Sequence, residues 1–88
     1  MNDYERFLVR ITDEIFEAAY MEGLTWTGLA HKAGLAESTV YNLGNRVTRF
    51  PQLRTFFKLA KAVRMNVRLL RKELSLEAKS QIREAVHS

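Results

Sequence analysis

The chain has 88 residues, a formal net charge of +4, 47% hydrophobic and 27% charged residues, and no cysteine. That length holds one small domain with no room for a second core. The missing cysteine excludes a disulfide scaffold and cysteine-based zinc or nucleophile chemistry and fits a reducing compartment. No apolar run approaches the ~18 residues of a membrane span, and the opening Met-Asn-Asp-Tyr-Glu-Arg lacks the signal-peptide pattern, so a cytoplasmic location is expected.

The pattern reads as helical throughout, with no sustained apolar–polar alternation and no Asn-Gly or Asp-Gly hairpin signal. Tyr4, Phe7, Leu8, Ile11, Ile15 and Ala19 recur at three- and four-residue steps and predict a first helix over roughly Asp3 to Glu22, capped by Asn2 or Asp3 and ended by Gly23. Thr25 suits the N-cap of a second helix, Trp26 to Ala33. A third is expected from about Glu37 to Gly44, then a loop, Asn45 to Pro51. Pro51 suits the first turn of a fourth helix, which runs to about Val63 and buries Leu53, Phe56, Phe57, Leu59, Ala60 and Val63. Asn66 can cap a fifth helix, with Val67, Leu69 and Leu70 apolar. Ser75 can cap a sixth, with Leu76, Ala78, Ile82, Ala85 and Val86 on one stripe.

The most informative run is Trp26 to Asn45. Ala30 must be small if the next helix crosses close over it. Gly34 supplies the positive φ that ends one helix and turns the chain, and Leu35, Val40 and Leu43 anchor the turn and the next helix to a core. That layout is a helix-turn-helix, whose second helix enters the major groove of DNA. The charge is placed accordingly. Residues 1–24 carry six acidic and two basic groups, residues 25–72 carry ten basic groups and only Glu37, and residues 73–88 carry three acidic and two basic groups. A polyanion would meet a positive field over the middle of the chain.

Thr25 to Val67 resembles the phage-repressor (Cro/repressor, XRE-type) helix-turn-helix family. The resemblance rests on Leu24-Thr25, Leu29-Ala30, Ala33-Gly34-Leu35, Ser38-Thr39-Val40, Leu43, Asn45, Pro51, Leu59-Ala60-Lys61-Ala62-Val63 and Asn66. It implies an all-α, lambda-repressor-like bundle that binds duplex DNA, usually as a dimer. With the flanking segments, the expectation is five to six helices: a DNA-binding domain over 1–74 and a C-terminal helix, 75–88, for pairing or packing.

A helix in the major groove presents its first turn and a position one turn later. Here these are Glu37, Ser38 and Asn42, with Thr39 and Tyr41 beside them. Glu37 can accept from a cytosine amino group, Asn42 can bond adenine bidentately, and Ser38 is permissive. Glu37 also suits a helix N-terminus for its charge alone. Tyr41 can stack on the DNA backbone or pack back on the domain. Phosphate contacts are expected from Asn45, Arg46, Thr48 and Arg49 in the following loop, and from Trp26, which stands where the resembled family commonly has glutamine and whose indole N–H can donate or whose ring can pack.

The chain departs from that family at several places. Gly28 lies inside the second helix, at a cost of about 1 kcal/mol relative to Ala. Ala36 stands where a Ser or Thr cap is usual. Gly44 and Arg46 invert a more common Glu-then-Gly order, Arg64 replaces a glycine, and the recognition helix has no Arg or Lys to read guanine. No catalytic or metal site is expected. His31 lies on an exposed face, His87 is at the C-terminus, there is no phosphate-binding glycine loop, and Asp13, Glu14 and Glu17 read as a solvated face. The expected function is sequence-specific double-stranded DNA binding, as a small repressor acting in the cytoplasm at the nucleoid, most simply as a homodimer without a cofactor. The alternatives are the antitoxin of a toxin–antitoxin pair, with a small protein partner, and a helix-turn-helix used mainly for protein–protein interaction.

Overall fold

Asn2 starts helix α1 (Asp3–Met21) through a reciprocal pair of bonds: the Glu5 N–H donates to the Asn2 side chain at 2.7 Å, and the Asn2 N–H donates to the Glu5 carboxylate at 3.4 Å. This computed structural model describes the backbone of residues 2–87 and the side chains of residues 2–77. Thr25 caps α2 (Trp26–Ala33), its hydroxyl accepting from the Gly28 N–H at 3.0 Å. Helix α3 (Glu37–Gly44) starts at Ala36 with no side-chain cap. Helix α4 (Leu53–Ala62) follows, and Asn66 caps α5 (Val67–His87) by accepting from the Leu69 N–H at 3.0 Å. The described residues form five helices and connecting turns, with no strand.

Several expectations are corrected. Ser75 begins no sixth helix: α5 runs unbroken from Val67 to His87, because no glycine or proline interrupts residues 67–88 and a serine alone does not break a periodic run. The stripe residues Ala78, Ile82, Ala85 and Val86 have side chains outside the described residues. Pro51 is buried ahead of α4 instead of lying in its first turn, since the chain is still extended at Gln52. Leu53 is 45% exposed and Phe57, also expected in the core, is half-buried, because the buried face of α4 starts at Phe56 and runs through Leu59 and Ala60.

Helices α1 to α4 end alike. The residue in the left-handed region is Gly23 (φ 78°), Gly34 (φ 70°), Arg46 (φ 60°) and Arg64 (φ 62°). The next N–H returns to a carbonyl five residues back: Leu24 to Ala19, Leu35 to Ala30, Val47 to Asn42 and Met65 to Ala60, at 2.8–3.0 Å. These bonds satisfy carbonyls that the helix leaves open. At the two arginines the left-handed conformation costs roughly 1–2 kcal/mol that glycine would not incur.

Helix α2 packs on α3 and α4, α1 on α5 and α4, and α4 on α5. Ile15, Leu29, Ala30, Val40, Phe56, Leu59 and Ala60 are wholly inaccessible at the centre. Each large apolar side chain among them contributes about 1.5–3 kcal/mol by leaving water. Phe7, Leu8, Ile11, Ala19, Leu43 and Val63 are buried as their spacing predicts, joined by Ala62, Leu70 and Leu74. Leu35, expected in the core, is half-buried on the turn. Thr12 is the buried polar residue of α1, its hydroxyl donating to the Leu8 carbonyl at 2.7 Å. No helix is long and apolar enough to cross a membrane among the described residues.

Candidate nucleic-acid interface

Val40 and Leu43 turn inward from α3. The remaining positions fall outward by helical spacing: Glu37, Ser38, Tyr41, Asn42 and Asn45 are exposed, and Thr39 is half-buried. Helix α3 packs on α2, whose Leu29 and Ala30 are buried, and this packing leaves the remaining face of α3 outward. Asn45, Arg46, Thr48 and Arg49 are all exposed beyond the end of α3. The Val47 and Thr48 N–H groups both donate to the Asn42 carbonyl, at 2.8 and 3.0 Å, which folds this loop back against the helix. The sequence-predicted residues of α3 and the loop therefore share one surface.

Trp26 is the exception among them. Its indole is half-buried between α1 and α3, 5.8 Å from the Phe16 ring at 75° and 5.3 Å from the Tyr41 ring at 66°. Gly44 lies directly under it: a Cβ there would stand 2.5 Å from Cη2 of the indole. Packing accounts for Trp26. Tyr41 is 39% exposed and held from below by the indole and at its tip by Thr27, with 3.0 Å between the two hydroxyl oxygens. The ring packs back on the domain while its edge stays on the surface.

Three partners were not legible in the sequence. His31 Nε2 lies 3.5 Å from Glu37 Oε1, across the turn between α2 and α3. Asp13, read as part of a solvated acidic face, has its carboxylate 3.8 Å from an Arg46 guanidinium nitrogen. Thr27 reaches Tyr41. All three link residues at separations that only the helix crossings bring together. The Asp13–Arg46 pair is exposed on both sides, so it holds Arg46 weakly. Val9, Thr12, Asp13, Leu43, Arg46, Thr48 and Arg49 enclose a cleft of about 350 Å³ between α1 and the loop.

The positive charge extends well beyond this surface, which itself carries Glu37 and has Asp13 beside Arg46. From Ser38 to Lys72 the chain has nine lysines and arginines and no acidic residue. Only Arg46 and Arg49 belong to the loop after α3; the other seven lie on α4, α5 and the turn between them. No group of His, Asp and Glu side chains that could hold a metal ion occurs among the described residues. Comparison with known proteins finds no match to a family model, a curated protein or a solved structure.

Proposed function

We propose that this chain is a sequence-specific reader of double-stranded DNA, a small transcriptional repressor of the phage-repressor, XRE type, with α2, the Gly34 turn and α3 as its helix-turn-helix. The observation that carries this reading is the surface just described. A short helix, braced from beneath by Trp26, turns Glu37, Ser38 and Asn42 outward and is followed at once by Asn45, Arg46, Thr48 and Arg49. In this reading α3 lies in the major groove, Glu37 and Asn42 read base edges, and the loop engages phosphates. Arg46 exchanges the Asp13 carboxylate for a phosphate oxygen. Two copies act on a near-palindromic site, since one short helix makes too few base contacts to find its site among genomic competitors.

The second reading is protein contact, as an antitoxin or another interaction module. The absence of Arg and Lys from α3 favours it. Selection of bound duplexes from a random pool, followed by binding at several salt concentrations, separates the readings. An enriched motif with a steep loss of affinity in salt supports DNA reading. No enrichment, with no duplex binding at low salt, rejects it.

A further inference from the structure

The larger part of the positive charge lies away from α3. Arg54, Phe57, Lys58 and Lys61 of α4 and Met65, Val67, Arg68 and Arg71 at the start of α5 line a groove of about 810 Å³. Its floor is apolar: Phe57, Met65 and Val67 are all half-buried and pack on the core from this side. Phe57 stands edge-on to the wholly buried Phe56, with ring centroids 5.5 Å apart, and the Arg71 guanidinium carbon is 5.0 Å from the Phe57 centroid. Five cations form the rim, and no carboxylate lines it. None of the five makes an ion pair among the described residues.

We propose that this groove is a docking site for a short acidic, amphipathic helical segment of a partner protein. The charge is complementary to such a segment, and Phe57, Met65 and Val67 offer an apolar floor for its other face. From Arg54 to Lys61 the lining of α4 covers two turns, about 10 Å, which matches a segment of two to three turns. A second copy of the chain paired across a two-fold axis here would set five cations against five, which the charge opposes. A phosphate backbone would meet the rim but leave Phe57, Met65 and Val67 without partners.

The test uses the full chain and two fluorescent synthetic peptides: one with Glu and Leu on opposite faces of a helix, and one with the same number of Glu and no apolar residue. The amphipathic peptide binds at least about tenfold more tightly than the Glu-only peptide, and part of its affinity survives salt that abolishes binding of the other. Arg68→Glu with Arg71→Glu, both at exposed positions, weakens it by about tenfold or more with the helical circular-dichroism signal unchanged. Phe57→Ala weakens the amphipathic peptide and leaves the Glu-only peptide unaffected. Equal affinity for the two peptides, or no effect of the charge reversal, overturns the proposal. So does displacement of the amphipathic peptide by random-sequence duplex DNA, which would assign the groove to nucleic acid. A fall in sedimenting mass on charge reversal would assign it to self-association and overturn the proposal equally.

Discussion

Gly44 and Trp26 occupy one another's space: a Cβ on Gly44 would lie 2.5–2.8 Å from three carbons of the indole. The last residue of α3 must be glycine because the first residue of α2 is tryptophan. Gly44→Ala should therefore displace the ring and destabilise the fold by about 1–3 kcal/mol. Trp26 is the single tryptophan, so its fluorescence reports the displacement directly. Trp26→Leu combined with Gly44→Ala should cost less than the two changes summed, because the clash is removed. Unfolding curves and emission spectra of the three variants check this, and unchanged emission in Gly44→Ala would contradict it.

Ala30 is wholly buried where α2 meets its neighbours. Ala30→Leu should overpack this crossing and cost roughly 1–3 kcal/mol in thermal unfolding. Wild-type stability in this variant would mean that the crossing has slack which the buried surface does not show.

Under the DNA-reading proposal, Arg46→Ala and Arg49→Ala should weaken binding to every duplex sequence alike. Each should make the slope of log K against log salt shallower by about one unit. Removing the competing carboxylate with Asp13→Asn should strengthen binding through Arg46. Isotherms at several salt concentrations check all three variants, and identical slopes would take both arginines out of the interface.

Glu37→Ala and Asn42→Ala should instead alter which sequence is preferred, by roughly 1–3 kcal/mol per lost base contact. Their exposure on one face of α3 motivates the pair. A mismatch series run on each variant is the measurement; wild-type preference in both would move the readout elsewhere.

A symmetric dimer should set two recognition helices about 34 Å apart on DNA. Leu69 and Leu76, seven residues apart on α5, are 51% and 59% exposed and offer apolar positions for pairing. Deleting residues 75–88 should reduce the sedimenting mass from dimer to monomer. A truncated chain that stays dimeric would exclude the C-terminal interface, and a full-length chain that is monomeric even on DNA would exclude the dimer.

The helices were legible because their causes are local. The Asn2–Glu5 pair, Thr25, Gly34 and Asn66 act within one turn of themselves, and the three- and four-residue spacing of Ile11, Ile15, Phe56 and Ala60 names the buried faces without reference to any other segment. Thus α2 and α3 were placed to the residue, and the outward set on α3 followed from subtraction of its inward set. The error at Ser75 has the same origin. A cap signal is local, but whether a helix breaks there depends on what the continuing turn can bury.

Other features depend on which helices cross. Arginine itself does not call for the left-handed conformation at 46 and 64, although both positions stand where the resembled family has glycine; the chain adopts it there as it does at Gly23 and Gly34. The pairing of Asp13 with Arg46, of His31 with Glu37 and of Thr27 with Tyr41 spans 33, 6 and 14 positions and exists only after α1, α2 and α3 have packed. The basic α4–α5 groove belongs to the same group. Its cations are evident in the composition, but periodicity alone reads Phe57 as core. The chain by itself determined an all-helical fold, the extents of α2 and α3, most of the buried positions and a single polar face on α3, but not the unbroken run of α5 through Ser75. Tertiary structure decided which charges meet, which aromatic rings are braces and where an apolar floor lies open, because those outcomes require contact between residues that local forces never bring together.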